Sequence, residues 1–311
     1  MTINDVHCHF FSAHFFETLG LDVKVPPPDH SAVAITSRLG WDPPGTSEAL
    51  ADRWVTELDR HGVARATLIA SVPSDEGSVG AALARHPGRF VGFLMVDPTH
   101  EAAAAIVERA VTELGFRCLC FFPAMHRYRL DESRVLQIFE QAAAHPRTVV
   151  FVHCGLLSVG VRKKLGLSSR FDIRMGDPLA VQVAASAFPH LPVIIPHFGA
   201  GFFRETLMAA DLAPNIYLDT SSSNAWIKYH TGLSLADVFR TSLNVVGADR
   251  LLFGTDSSFF PRGWQRGVFD AQKAALDAIG ADGPAQQKIF GGNFDRLFSQ
   301  RDPDRGPDSA G

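Results

Sequence analysis

The sequence predicts an α/β fold and, within that class, a (β/α)8 TIM barrel with long loops after strands 1 and 5. Eight short apolar runs rich in Val, Ile, Leu and Phe recur along the 311 residues, each followed by a stretch with helical spacing. The runs lack polar alternation, which is typical of strands buried on both faces of a parallel sheet. The alternative is an open doubly wound sheet. No G-x-G-x-x-G follows the first run, which counts against the dinucleotide-binding form of that alternative.

Each apolar run predicts one strand, and the strands are numbered 1 to 8 along the chain. They span residues 3–10, 64–72, 89–98, 115–123, 147–155, 191–199, 215–223 and 250–258. Between the strands, helices are predicted where caps and stops frame a helical pattern. Residues 46–62 open on a Ser/Thr cap and end on a glycine, and residues 131–146 begin at an Asp cap and stop at a proline. Further helical patterns fall at residues 100–115 and near 178–187, 201–211, 234–246 and 267–279.

Two segments are longer than ordinary connections, and long insertions in a compact domain are usually lids or binding loops. Residues 10–45 follow strand 1 and contain "PPP" and "DPPG", and residues 156–177 follow strand 5. The last residues, 300–311, are polar with Pro and Gly, which predicts a disordered tail. The prediction is therefore one barrel over residues 1–299 and a tail after it.

Composition narrows the class of function. The chain is 46% hydrophobic and 20% charged with a net charge of -4, which is ordinary for a globular protein and offers nucleic acid no basic surface. No apolar stretch approaches the roughly 20 residues that span a bilayer, and no signal segment precedes the first strand, so the expected location is cytoplasmic. The expected partner is a small-molecule substrate, with no nucleic acid or membrane, and a homodimer stays open. None of the four cysteines forms C-x-x-C, so packing is their simplest role.

The stretch "DVHCH" places two histidines one residue apart at the end of strand 1. Alternate residues of a strand share a face, so His7 and His9 project together and can grip one divalent cation. Barrel enzymes gather catalytic residues at the carboxyl ends of their strands. His153, His197 and Asp256 end strands 5, 6 and 8. Four imidazoles and a carboxylate at these ends predict a metal centre with an open position for water.

The motifs "DVHCHF", "FVHCG", "PHFGAG", "LLFGTDSSF" and "IFGGNFDRLF" occur in this order, and the chain resembles the amidohydrolase superfamily over residues 3–298. The closest branch is the amidohydrolase-related family that includes aminocarboxymuconate semialdehyde decarboxylase. The resemblance implies that His7, His9, His153 and Asp256 bind one divalent metal, usually zinc, with manganese or cobalt as alternatives. It also implies that His197 is a base beside the metal-bound water.

Two further residue positions bear on the predicted centre. Two-metal members of the superfamily carry a carbamylated lysine at the end of strand 4, whereas "CFFPAM" stands there in this chain, so a dinuclear site is not expected. Asp5 shares a face with His7 and His9, one step deeper in the barrel. Either it orients a metal ligand or it is a hydrogen-bonded residue of the barrel bottom.

The predicted function is hydrolysis of an amide, ester or lactone of a small, carboxylated cyclic or aromatic substrate. The metal lowers the pKa of its bound water to about 7, His197 moves a proton near neutrality, and Asp256 holds the metal and relays a proton. The alternative is a metal-dependent non-oxidative decarboxylase of an aromatic or conjugated acid, because the family contains both chemistries and the motifs do not separate them. A third hypothesis is a catalytically inactive barrel that serves as a binding protein.

Aromatic and basic residues of the strand-end loops are the candidates for substrate contacts. The aromatic candidates, which suit a flat and carbon-rich substrate, are Phe10, Phe122 and Trp226. The loop after strand 5 holds Arg162, Lys163, Lys164, Arg170 and Arg174 against one acid, Asp172. Its arginines, Arg170 and Arg174 above all, either clamp a substrate carboxylate or form a solvated surface. Arg262, just after Asp256, is another candidate for the clamp.

Overall fold

The computed structural model describes residues 1–23 and 30–298, and its strands follow one another around a parallel sheet in chain order. β1 (Ile3–Asp5) and β2 (His9–Phe10) both pair with β3 (Val63–Ala70), so together they form the first barrel strand. The other strands are β4 (Phe90–Val96), β5 (Cys118–Phe121), β6 (Val149–Val152), β7 (Val193–Ile195), β8 (Ile216–Asp219) and β9 (Leu251–Leu252). Each of them lies within one predicted run.

The first and last barrel strands meet, which leaves the barrel nearly closed. The backbone N–H of Val6 donates to the carbonyl of Phe253 at 2.9 Å, and the N–H of Asp256 donates to the carbonyl of His7 at 2.9 Å. His9 donates in the same way to Ser257 at 2.7 Å. The predicted (β/α)8 barrel is therefore confirmed, and its seam joins the backbones of His7 and Asp256 directly.

Helices surround the barrel and follow the strands as predicted. They are α1 (Ala13–Asp22), α2 (Ala32–Leu39), α3 (Ser47–His61), α4 (Glu76–Arg85), α5 (Ala103–Thr112), α6 (Pro123–His126), α7 (Ser133–Ala144), α8 (Gly160–Lys164), α9 (Pro178–Ala187), α10 (Phe203–Leu212), α11 (Leu235–Val246), α12 (Arg266–Ala278), α13 (Gly283–Gln287) and α14 (Asn293–Phe298). For α3 the predicted caps are present: the Thr46 hydroxyl accepts from the N–H of Ala49, and Gly62 ends the helix at φ 69°. In the described ranges, no helix is both long and apolar enough to cross a membrane.

The two long segments contain more regular structure than the sequence indicates. The segment after the first barrel strand holds α1 and α2, whose first turns are capped by Ser12 and Ser31. The segment after β6 holds α8 and a 3-10 turn over Ile173–Met175. Both segments cover the carboxyl ends of the strands, where the predicted site lies. The proline run at 26–28 and the predicted tail at 300–311 lie outside the described residues.

Asp5 lies at the barrel seam and is fully buried. Its carboxylate accepts from the backbone N–H of His7 at 2.9 Å, from the N–H and hydroxyl of Thr255 at 3.1 and 2.5 Å, and from the Trp264 indole at 2.7 Å. It therefore binds the backbone of a predicted metal ligand rather than its ring. Of the two alternatives, a hydrogen-bonded residue that holds the seam describes Asp5 better.

Candidate active site

A cavity of about 600 Å³ opens at the carboxyl ends of the strands, and it gathers all five predicted site residues. His7, His9, His153, His197 and Asp256 line it together. They come from four different barrel strands, so the barrel brings together residues that are up to 249 positions apart in the sequence (256 − 7). Cavities of this size and position are the usual active sites of TIM barrels.

His7, His9 and Asp256 form the tightest group in the cavity. The His7 and His9 Nε2 atoms are 3.3 Å apart, and Asp256 Oδ1 lies 3.7 Å from the first and 3.3 Å from the second. One ligand atom from each residue falls within 4.8 Å of the others. Asp256 holds this position with φ 62°, a left-handed conformation that is uncommon for a residue with a side chain.

Hydrogen bonds on the far side of each ring determine which nitrogen faces the centre. Ser71 Oγ donates to the carbonyl of Ile69 at 2.9 Å, so it accepts from the Nδ1–H of His9 at 2.8 Å. The Nδ1–H of His7 donates to Asp219 Oδ2 at 2.7 Å. Both Nε2 atoms thus point lone pairs at the same space as Asp256 Oδ1. Three electron-pair donors that converge on one point are stabilised by a cation, and two imidazoles with a carboxylate suit Zn²⁺ and similar ions.

His153 lines the same cavity but lies outside the compact group of His7, His9 and Asp256. It is buried, and its Nδ1 has no hydrogen-bond partner within the described ranges, although buried polar atoms nearly always have one. The ring packs between His197, at 5.2 Å between centroids, and Phe122, at 5.6 Å. Phe122 follows β5, so the neighbourhood of His153 is apolar on that side.

His197 is held by a strained turn over Pro196–Gly199. Its φ is 56° and that of Phe198 is 52°, and such strain is common at functional sites. Its Nδ1–H donates to the carbonyl of Ser221 at 3.3 Å, and Ser221 Oγ lies 2.9 Å from the same nitrogen. The His197 ring lies 4.9 Å from the ring of His7. The Nε2 atom of His197 therefore keeps its lone pair, as a base requires.

Burial and neighbouring charges shift the pKa values in the cavity. Burial lowers the pKa of His153 well below its usual range, and the nearby His197 and His7 lower it further. Burial also lowers the pKa of His197 and of His9, with partial compensation from Asp256. Burial opposes ionisation of Asp256, but its contact with His9 and the proximity of His7 and His197 outweigh burial and lower the pKa of that carboxyl. For His7, burial lowers the pKa but the charge of Asp219 and the hydrogen bond to it outweigh burial and raise that pKa. The site thus combines an ionised carboxylate with three imidazoles whose pKa values are lowered and one, His7, whose pKa is raised.

Asp219, Ser221 and Ser71 are site residues that the sequence analysis missed. Asp219 and Ser221 end β8 and hold the Nδ1 atoms of His7 and His197, whereas Ser71 follows β3 and holds His9. A signal for the first two was present, because "NIYLDTSSS" puts an acid and a serine on one face at the end of a predicted strand. Nothing comparable marks Ser71, since its role depends on the neighbouring strand.

Two of the three aromatic predictions place residues in the cavity, and one is wrong. Phe122 and Trp226 line the cavity. Phe10 does not, because its side chain is fully buried in the core between barrel and helices, together with Cys8. It lies on the opposite face of the first barrel strand from the metal-site histidines. Phe11, the next residue, lines the cavity instead, 5.7 Å from the His9 ring.

The basic loop contributes to the cavity, but not through the predicted residues. Arg174 is 83% exposed and pairs with Asp172 at 2.6 Å, so its charge is already matched two residues away. Arg170 is exposed and lines a neighbouring surface cavity. The clamp hypothesis is therefore wrong for Arg170 and Arg174 at this cavity. Arg162, Lys164 and the predicted Arg262 line it.

Four side chains from three loops form a stack on the wall of this cavity. The Trp41 and Phe259 rings are nearly parallel, with centroids 3.6 Å apart. Lys164 Nζ lies 5.5 Å from the Trp41 ring, and the Arg262 guanidinium lies 4.5 Å from the Phe259 ring. Cation–π contacts of this kind contribute about 0.5–1 kcal/mol each at exposed sites. Both cations thus stay at the cavity, and neither has an ion-pair partner among the described side chains.

Comparison with known proteins agrees with this fold. A family model described as Amidohydrolase matches residues 5–299, and no curated protein matches the chain. An uncharacterized TIM-barrel protein from Bordetella bronchiseptica has a TM-score of 0.65 at 19% identity, over 96% of this chain and 98% of that one. The 5-carboxyvanillate decarboxylase from Sphingomonas paucimobilis has a TM-score of 0.62 at 16% identity, over 96% and 98%. A probable 2-pyrone-4,6-dicarboxylic acid hydrolase from Acinetobacter baumannii has a TM-score of 0.60 at 15%, over 96% and 99%. These identities show a shared fold.

Proposed function

The chain belongs to the amidohydrolase family, and on that premise we propose that it is a metal-dependent hydrolase of a small, carboxylated cyclic or aromatic amide, ester or lactone. One observation carries the proposal. His197, with its proton on Nδ1 and a lone pair on Nε2, lines the same cavity as the His7, His9 and Asp256 donor group. A base beside a metal centre is what activation of water requires.

The cofactor of the proposal is one divalent ion, Zn²⁺ first, with Mn²⁺ and Co²⁺ as alternatives. His7, His9, His153 and Asp256 would hold it, and the orphaned Nδ1 of His153 supports the fourth ligand. When bound, such an ion supplies Lewis-acid polarisation and lowers the pKa of a coordinated water to about 7. The ligand set contains three histidines and one carboxylate, which zinc accepts with room for a further ligand.

The chain's own residues supply the proton transfers. His197 takes a proton from the attacking water on Nε2 and returns it to the leaving group. The bond from its Nδ1–H to the carbonyl of Ser221 keeps the ring oriented while Nε2 changes its protonation state. Burial lowers the pKa of His197, so the base is neutral and available at pH 7. Asp256, whose pKa is lowered, would hold the metal as a carboxylate and relay a proton.

The cavity wall supports a flat, anionic substrate. Phe11, Trp41 and Phe259 present aromatic surface, and the rings of Phe11 and Trp41 are inclined by only 16° with centroids 6.5 Å apart. Arg262 donates only to the carbonyl of Asp256 and the hydroxyl of Ser258 among the described residues. Its guanidinium therefore forms no direct ion pair among the described residues, and a substrate carboxylate would supply one.

Two substrate panels test the reaction class. Metal-loaded enzyme is incubated with lactones and amides that carry a carboxylate, and separately with aromatic carboxylic acids. Acid formation without loss of carbon is the expected result. Release of CO2 from the second panel would mean that the enzyme is a decarboxylase rather than a hydrolase. No turnover on either panel by protein that also binds no metal would favour the inactive barrel.

Arg262→Ala should lower kcat/KM for a carboxylated substrate about 10- to 150-fold, because a hydrogen bond to a charged group contributes about 1.5–3 kcal/mol. Arg174→Ala is the matched control, since its exposed pair with Asp172 is worth about 0–1 kcal/mol. The control should stay within about threefold, as should Arg170→Ala. Steady-state kinetics on the best substrate and on its carboxamide checks the assignment. Equal losses on both substrates would mean that Arg262 supports the loop rather than the carboxylate.

A further inference from the structure

We infer that Asp219 and Ser221 at the end of β8 are positioning residues, which hold His7 as a metal ligand and His197 as the base in their working tautomers. The inference rests on the proposed metal-dependent function. Neither residue lines the cavity, and both are fully buried. They act through the two histidine rings that do line it.

The two carboxylate oxygens of Asp219 accept hydrogen bonds from two different donors. Its Oδ2 accepts from the Nδ1–H of His7 at 2.7 Å, and its Oδ1 accepts from the backbone N–H of Ser221 at 2.6 Å. An ionised carboxylate can only accept, so a proton of His7 must stay on Nδ1, and in the neutral ring the lone pair is on Nε2. Metal-binding histidines commonly donate their other N–H to a carboxylate, which orients the ring and strengthens the ligand.

Ser221 connects the Asp219–His7 pair to His197, the proposed base. Its hydroxyl oxygen lies 2.9 Å from Nδ1 of His7 and 2.9 Å from Nδ1 of His197, and its carbonyl accepts from His197 at 3.3 Å. With both Nδ1 atoms protonated, the N–H of His7 is shared between Asp219 Oδ2 and this hydroxyl oxygen, and the N–H of His197 is shared between the Ser221 carbonyl and the same oxygen. A single strand end therefore sets the orientation of a ligand and of the base.

The packing around this pair leaves no room for adjustment. A side chain at Gly254, just after β9, would place its Cβ 2.9 Å from Cβ of His7, 2.9 Å from Cβ of Ser221 and 3.0 Å from Oδ1 of Asp219. Cβ atoms essentially never approach other atoms below 3.0 Å, so a side chain at this position would force a neighbouring residue to move. Glycine at this position therefore lets the three residues approach one another, and the cluster is part of the closed barrel rather than of a mobile loop.

Asp219→Asn is the test, because an amide has one acceptor where the carboxylate has two. If the amide oxygen faces His7, the NH2 group opposes the N–H of Ser221. If it faces Ser221, the NH2 group opposes Nδ1 of His7 and drives the proton to Nε2. Either arrangement weakens the ligand, so Zn²⁺ affinity should fall about 10- to 100-fold. Competition against a chromophoric chelator measures it without any substrate.

Thr220→Val is the matched control on the same strand. Thr220 is equally buried, but its hydroxyl donates to Gln272 at 2.6 Å on the other face. It should lose thermal stability as Asp219→Asn does, yet bind Zn²⁺ within about threefold of the wild type. Comparable losses of Zn²⁺ affinity in both variants would mean that Asp219 only supports the fold. Wild-type affinity in Asp219→Asn would overturn the inference.

Two further measurements keep the inference separate from the proposed function. Nitrogen-15 NMR of the metal-free wild type should show His7 protonated on Nδ1, the nitrogen that faces Asp219; a neutral His7 with its proton on Nε2 overturns the inference even if the protein binds no metal. Ser221→Ala, which keeps the carboxylate, serves if Asp219→Asn does not fold. It should weaken Zn²⁺ binding about two- to twelvefold through the loss of one acceptor, and unchanged binding would contradict the part assigned to Ser221.

Discussion

Replacing His197 with asparagine should lower kcat by about 10²- to 10⁴-fold while metal content and fold stay at wild-type values. This is the usual cost of losing a general base. The asparagine NH2 can still donate to the carbonyl of Ser221, which now accepts from the Nδ1–H of His197. What disappears is the Nε2 lone pair on the cavity side. Single-turnover kinetics and elemental analysis of the same preparation measure the two quantities together.

His190→Asn is the control for loss of an imidazole. His190 is exposed and remote from the cavity, so its variant should keep turnover within about twofold. If His197→Asn loses its metal, the residue is a ligand and the division of roles proposed for the cavity is wrong. If it keeps both metal and turnover, another group takes the proton.

The fold was predictable because its strands are buried on both faces, and that burial is visible in the apolar runs. The lengths of the strands were not. Predicted strand 8 covers residues 250–258, but only Leu251–Leu252 form β9. The residues that follow are buried as well, since they enter the site and the seam. Likewise residues 3–10 look like one strand, although the chain between β1 and β2 bonds to residues 253–257. The pattern of apolar side chains shows which residues are buried, but it does not show which backbone groups they hydrogen-bond to.

The candidate site could be predicted where strand ends carry a residue of distinctive chemistry. The same rule selected His7, His153, His197 and Asp256, and all of them meet in one cavity. It was not applied to Asp219, whose partner is 212 positions away and therefore invisible in the sequence. Phe10 could have been excluded by parity, because alternate residues of a strand face opposite sides.

The partners of the charged side chains could not be predicted from the sequence for a different reason. Counting the cations of the basic loop gave no information on which of them already have partners. Arg174 is neutralised by Asp172 two residues away, and Arg162 by Asp22, which lies 140 positions away on α1. Lys164 and Arg262 stay beside aromatic rings instead. Only the folded chain shows which positive charges are left for a ligand.

Removal of the metal should lower turnover by about 10³-fold or more, since Lewis-acid stabilisation contributes several kcal/mol and each 1.36 kcal/mol is a factor of ten. Dialysis against a chelator should leave a folded protein, because the barrel core does not depend on the centre: the buried clusters are made by apolar side chains around it. One equivalent of Zn²⁺ per chain should restore activity. Elemental analysis of protein purified without chelator should find the same stoichiometry.

A variant of His153 tests whether three or four residues bind the metal. His7, His9 and Asp256 already form a compact donor group without His153, so His153→Ala distinguishes three ligands from four. If His153 binds the metal, its loss should weaken affinity and also remove the unpaired Nδ1 that the apolar wall beside Phe122 cannot satisfy. The control is His145→Ala, whose ring pairs with Glu108 at 3.0 Å outside the cavity. Unchanged affinity in His153→Ala would leave a three-residue centre. Two tightly bound ions per chain would contradict the mononuclear assignment.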